Sequence, residues 1–204
     1  MDVLIILFAY LLGTVPTGRM VAKARGIEIT RAGSGNVGAT NVARTAGRGA
    51  GIITLAGDIA KGIIGALIGR WYFDSPSGAA IAGLATVSGH CFSIPGILTG
   101  GKGVATSIGV IAVVSPLLSA TAIAIFSATF KISRTVSIAS IAAAVGVPLV
   151  GAVLGIPFEL WWPLATIGAL VLWRHRPNID RILKGKEPTF SLGGAPEPPV
   201  ETPR

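Results

Sequence analysis

Runs of about twenty apolar residues alternate along the chain with short polar stretches, the length at which a helix crosses the hydrocarbon core of a bilayer. The first run covers Val3 to Ala22, the second Ala50 to Trp71 and the third Gly78 to Leu98. A longer run from Val104 to Phe130 is interrupted by Pro116, and two more follow, Val136 to Leu154 and Leu160 to Trp173. Each predicts a helix. Pro16 and Gly18 predict a bend in the later half of the first. That run lacks a basic leader and a small-residue cleavage site, so it reads as a retained span and not as a signal peptide.

Charge then orients the runs, because Lys and Arg gather on the cytoplasmic side. Between the first and second runs Lys23, Arg25, Arg31, Arg44 and Arg48 stand against one acid, Glu28, which places this loop in the cytoplasm and the N-terminus outside. Lys102 precedes the Val104–Phe130 run, while Lys131 and Arg134 follow it. If all are cytoplasmic, the run is a hairpin of two short or tilted helices turning near Ser115-Pro116. Arg174, Arg176, Arg181, Lys184 and Lys186 bring the C-terminal region to the same side, and Trp161, Trp162 and Trp173 suit interfacial anchoring of the last span. The predicted fold is an all-α integral membrane protein of seven transmembrane helices, N-terminus external and C-terminus cytoplasmic. Residues 1–187 read as a single polytopic domain, and 188–204 as a proline-rich, disordered cytoplasmic tail.

Composition agrees with the bilayer: 51% of the 204 residues are apolar and 13% charged, against about 25% charged in soluble domains. The 28 glycines allow the close helix approach that lipid-embedded packing favours. The net charge of +8 does not indicate nucleic acid, because the basic residues cluster at the ends of spans with no interleaved aromatics. The single cysteine, Cys91, reads as a packed thiol, and neighbouring His90 as a hydrogen-bonded interior residue. Asp58 and Lys61 share a helix face inside the second span and read as a structural pair.

Three polar clusters carry candidate chemistry. From Gly33 to Arg44, glycines alternate with Ser34, Asn36, Thr40, Asn41 and Arg44, a loop that can turn bare N–H groups, hydroxyls, amides and a guanidinium toward a phosphate. Gly33, Gly35 and Gly38 spell a dinucleotide fingerprint, but a hydrophobic helix stands where the strand is required. Gly96 to Lys102 begins like a P-loop, yet Gly103 replaces the magnesium-binding hydroxyl. What remains of the second cluster is Lys102 among Gly101 and Gly103, an ammonium and backbone donors aimed at one anion. In the third, His175 and Asn178 fall on one face if the segment is helical. No metal-ligand cluster is present and no cofactor is expected. All the polar loops emerge on one side, which suits an enzyme using a soluble substrate better than a transporter of small anionic solutes, whose site belongs near the midplane.

SGNVGATNVAR (Ser34–Arg44), GGKGVAT ending at Thr106, VSIAS (Val136–Ser140) and HRPNIDRILKGKE (His175–Glu187) together resemble the bacterial acyl-phosphate-dependent glycerol-3-phosphate acyltransferases, the PlsY family. LAGDIAKG (Leu55–Gly62) is similar to that family's second helix, and Ile138 stands where leucine is common. The resemblance implies a seven-helix enzyme of the bacterial inner membrane with its motifs in the cytoplasm. The implied reaction moves a fatty acyl group from acyl phosphate to the sn-1 hydroxyl of glycerol 3-phosphate, giving lysophosphatidic acid and phosphate. Acyl-CoA and acyl-carrier protein are not expected donors. By the family match, Ser34, Arg44, Lys102, His175 and Asn178 are the expected catalytic residues. Gly35, Asn36, Gly38, Thr40, Asn41, Gly101, Gly103, Ser137 and Ser140 are expected to bind substrate, and Glu187 to pair structurally with a basic group.

Overall fold

The computed structural model describes residues 1–93 and 99–190, and every regular element among them is helical. The last residues of the third predicted span and most of the proline-rich tail lie outside the described residues. The chain opens with α1 (Asp2–Gly13) and α2 (Thr17–Lys23), then a 3₁₀ turn (Ile29–Arg31) and α3 (Ala39–Ala46). Next come α4 (Arg48–Phe73), α5 (Pro76–Phe92), α6 (Val104–Val114) and α7 (Pro116–Ser133). The remaining helices are α8 (Val136–Val153), α9 (Phe158–Arg174) and α10 (Arg176–Leu183).

The predicted bend in the first span is a full break. Pro16 has no N–H to continue the ladder, and α1 and α2 are separate helices across Thr14–Pro16. The Val15 carbonyl accepts a hydrogen bond from Lys61 Nζ at 3.0 Å, so a neighbouring helix satisfies a group that lipid cannot. The Val104–Phe130 run is two helices, α6 and α7, meeting at Ser115-Pro116. Ser115 ends α6, and its Oγ accepts from Leu118 N at 3.3 Å while Pro116 takes the first position of α7. The same signal starts α5, where Ser75 Oγ accepts from Gly78 N at 3.0 Å beside Pro76.

By length and composition, Asp2–Lys23, Arg48–Phe73, Pro116–Ser133 and Val136–Val153 are able to cross a bilayer, and α6 is a shorter apolar helix. α4 is the centre of the N-terminal half and packs on α5, α6, α3 and α1. Small residues set its spacing: Gly62 lies against the Thr106 backbone, Gly65 against the Thr86 side chain, and Gly109 of α6 against the Ile59 carbonyl, leaving no room for a Cβ. The apolar core between these helices contains Ala66, Val87, Val110 and Leu118, joined by Ile167 of α9. Leu4, Phe8, Ile52, Leu67, Leu117 and Leu149 face outward, as on a lipid-contacting surface.

Candidate functional site

The glycine-rich stretch is half loop and half helix, turning helical at Ala39. Asn41, buried on α3, organises the loop with its side chain. Its Oδ1 accepts from Ser34 N at 3.0 Å, and its Nδ2 donates to Ala32 O at 3.0 Å and Asn36 O at 2.9 Å. Asn36 Oδ1 accepts from Gly38 N at 2.7 Å, and Gly35 takes a φ of +69°, which favours glycine. These bonds leave Ser34 at the exposed edge of a fixed turn. Thr40 and Arg44 follow on α3, both half-buried.

The Gly100–Gly103 turn is gripped from two sides. Gly101 N donates to His90 O at 3.0 Å, while Arg174 donates from Nε to Gly101 O at 2.9 Å and from Nη2 to Gly100 O at 2.8 Å. Gly103 has a φ of +84°, and its carbonyl accepts from the Ser107 N–H and hydroxyl, each at 2.8 Å, starting α6. Lys102 projects from this turn. Its pKa is lowered to about 8, first by burial and then by Arg181, Arg174 and Arg44, with Glu187 opposing. Arg44 is therefore within electrostatic reach of Lys102.

The third cluster is the corner between α9 and α10. His175 is buried there, and its Nδ1 donates to Val171 O at 2.7 Å, leaving Nε2 as the acceptor of the neutral ring. Its pKa falls to about 4, chiefly by burial, with Lys102 adding to the drop. Asn178 is also buried, and its Nδ2 donates to Glu187 Oε1 at 2.6 Å. The same carboxylate accepts from Ser137 Oγ at 2.7 Å and from Arg181 Nε at 2.8 Å. Burial raises the Glu187 pKa, but the bonds from Ser137, Asn178 and Arg181 outweigh it, and the net direction is down. Phe190 N donates to Arg134 O at 2.7 Å, so the segment after α10 folds back toward the α7–α8 corner.

A cavity of about 340 Å³ joins the three clusters. Ser34 and Asn36 come from the first, Lys102 from the second, and Trp173, Arg174, Arg176, Asn178 and Arg181 from the third. Trp173 is flanked by two guanidiniums, with Arg174 Cζ and Arg176 Cζ each 5.7 Å from the ring centroid. Asn178 Oδ1 has no hydrogen-bond partner among the described residues. The concave surface thus combines four cationic side chains with a hydroxyl and amides, a lining suited to more than one phosphate.

Not every expected residue reaches the cavity wall. Arg44, on α3, does not line it, and His175 lies buried at the helix corner. Gly35, Gly38, Thr40 and Asn41 shape or back the first loop, and Gly101 and Gly103 shape the second. Ser137 is engaged by Glu187, and Ser140 Oγ donates to Val136 O of its own helix at 2.8 Å. Asp58 and Lys61 pair at 3.0 Å among the helices, away from this cavity. Arg174, Arg176, Arg181 and Trp173 were read from sequence only as markers of orientation and anchoring. Arg174 ends α9 while Asn178 and Arg181 lie on α10, so the corner at His175, which no helical period in the sequence marks, brings them to one cavity.

A family model described as glycerol-3-phosphate acyltransferase matches residues 3–185. The glycerol-3-phosphate acyltransferase of Geotalea daltonii is 45% identical over 93% of this chain and 97% of its own. That of Desulforudis audaxviator is 44% identical over 93% and 96%. Among solved structures, the fold is similar to crystal structures of PlsY, an integral membrane glycerol 3-phosphate acyltransferase. The glycerol 3-phosphate form has a TM-score of 0.87 and 40% identity, covering 93% of this chain and 96% of that one. The lysophosphatidic acid form has a TM-score of 0.85 at the same identity, covering 93% and 95%.

Proposed function

The chain belongs to the glycerol-3-phosphate acyltransferase family, and from that premise we propose how its own residues carry the reaction. It is a membrane acyltransferase of phospholipid synthesis. It transfers a fatty acyl group from acyl phosphate to the sn-1 hydroxyl of glycerol 3-phosphate and forms lysophosphatidic acid and phosphate. The comparisons lend no support to an anion transporter. Residues 1–187 are the acyltransferase domain, its spans being α1 with α2, then α4, α5, α6, α7, α8 and α9. The N-terminus is external, and the cavity opens at the cytoplasmic face of the bacterial inner membrane, the side to which the basic loops assign it.

The observation that carries the site assignment is the convergence of Ser34, Lys102, Arg174, Asn178 and Arg181 on one cavity. Two phosphates meet in this reaction, and each needs cationic or N–H partners. Lys102 and Arg44 neutralise the donor phosphate and stabilise it as it departs. Ser34 and the turn fixed by Asn41 bind a phosphoryl or carbonyl oxygen. Asn178 on the cavity wall and His175 at the α9–α10 corner orient glycerol 3-phosphate, with Asn178 Oδ1, unpartnered among the described residues, as an acceptor for its hydroxyls. Gly101, Gly103, Asn36, Gly35 and Gly38 supply the backbone around them, and Thr40, Ser137 and Ser140 are supporting donors.

The sn-1 oxygen attacks the acyl carbonyl carbon directly. A new ester C–O bond forms, the bond to the phosphate oxygen breaks, and the hydroxyl proton leaves on the phosphate. A His175 with a pKa of about 4 is a poor base near neutrality, whereas the departing phosphate takes the proton without help. No cofactor, acyl-CoA or acyl-carrier protein enters. The test is purified protein supplied with palmitoyl phosphate and glycerol 3-phosphate. Phosphate and lysophosphatidic acid should appear in equal amounts, and equal phosphate release without glycerol 3-phosphate would mean hydrolysis instead.

A further inference from the structure

Asp58, Lys61 and His90 form a buried cluster of ionisable side chains that the acyl-transfer reading leaves without a task. Asp58 Oδ1 is 3.0 Å from Lys61 Nζ, accepts a hydrogen bond from the Thr17 hydroxyl, and lies 3.7 Å from His90 Nδ1. Lys61 also donates to Val15 O, so the cluster binds the α1–α2 break to α4 and α5. The other side of His90 meets the lysine turn. Gly101 N donates to the His90 carbonyl at 3.0 Å, and the imidazole Nε2 fills the space that a Cβ on residue 101 would need. A void of about 10 Å³, near the volume one water requires, is bordered by Asp58, Lys61, His90 and Gly101.

Groups of this kind are expensive inside a bilayer, and apolar residues of similar size often serve stability as well as a buried ion pair does. What apolar residues cannot supply is a directional seat. We propose that His90, braced by the Asp58–Lys61 pair, is a positioning residue that fixes the Gly100–Gly103 turn and with it the Lys102 ammonium. Arg174 holds the same turn from the water side, so the lysine is clamped between an intramembrane brace and a cytoplasmic one. The inference rests on Lys102 acting in the transfer. His90 touches no substrate and works through the turn.

The experiment measures kcat and KM of the full chain carrying His90→Ala, alone and combined with Lys102→Gln, using radiolabelled glycerol 3-phosphate over long incubations. Alone, His90→Ala should lower kcat at least tenfold. Combined with Lys102→Gln, it should add less than a twofold further loss, because the group it positions is gone. Losses that multiply would overturn the proposal, since a general structural defect does not depend on Lys102. Gly101→Ala leaves the Asp58–Lys61 pair in place and sets a methyl group against the His90 ring, which must shift. It should cost a similar factor in kcat, and full activity in this variant would also overturn the proposal. Lys102→Gln with undiminished turnover would instead remove Lys102 from the catalytic reading itself.

Discussion

Ser137 and Glu187 are fifty residues apart in sequence, yet the Ser137 hydroxyl donates to the Glu187 carboxylate at 2.7 Å. The same carboxylate holds Asn178 and Arg181, so one acid ties α8 to the α10 segment that forms a wall of the cavity. Glu187→Ala leaves Asn178 and Arg181 without their acceptor. It should lower kcat/KM by roughly tenfold or more and reduce the thermal midpoint, because each buried polar group left unsatisfied costs about 1–3 kcal/mol. Steady-state kinetics and thermal unfolding in detergent check both.

The sign of the pH effect at Glu187 follows from its depressed pKa. A carboxyl whose folded value lies below the ordinary 4.5 contributes stability above 4.5 that is lost as the pH falls through the folded value. The wild type should therefore lose thermal stability below about pH 4.5 more steeply than Glu187→Gln, which has no proton to take up there. Parallel curves for the two proteins would show that the strap does not titrate with folding.

Lys102 gives a second pH signature. With a pKa lowered to about 8, its ammonium is present below that value and lost above it. Turnover should fall as the pH rises through about 8 if charge at Lys102 stabilises the departing phosphate. Lys102→Arg stays charged throughout and should shift that alkaline fall upward while lowering the rate at neutral pH. A pH profile of kcat for both proteins is the measurement.

Helix-start signals made much of the fold legible. Pro116 inside the Val104–Phe130 run marked a break, and Ser115-Pro116 is where α7 begins. The short helix α3 is hard to read from sequence because a glycine-rich loop runs up to its first residue, and its fixing depends on Asn41 reaching back to Ala32 and Ser34. A side chain bonded to distant backbone leaves no periodic trace. For the same reason Asn41 looked like a donor for substrate, although all three of its side-chain bonds go to the loop. Arg174 was hidden differently, since a basic residue at the end of a span already has an explanation in topology.

The two carbonyl bonds of Arg174 give that explanation a rival. Its guanidinium reaches Gly101 O and Gly100 O together, a paired geometry that a single ammonium does not reproduce. Arg174→Lys keeps the positive charge and should still lose about tenfold or more in kcat/KM. Wild-type kinetics in that variant would reduce Arg174 to an orientation marker.

Ser34 and Arg44 test the chemistry most directly, because their environments differ. Ser34 is exposed on the cavity edge and makes no contribution to the apolar core, so Ser34→Ala should insert and fold normally. Its turnover should nevertheless fall by about 10² to 10³, the cost of removing one donor to developing charge. Arg44 lies on α3 within electrostatic reach of Lys102. Arg44→Ala should abolish turnover and also raise the pKa of Lys102, since a neighbouring positive charge no longer opposes its ionisation. Ser34→Ala also separates direct transfer from a covalent route. An acyl phosphate is already activated, so no acyl-serine should accumulate on the wild type with donor alone. Mass spectrometry of the intact protein after mixing with palmitoyl phosphate decides this. A stable palmitoyl adduct that disappears in Ser34→Ala would replace direct transfer with a two-step mechanism.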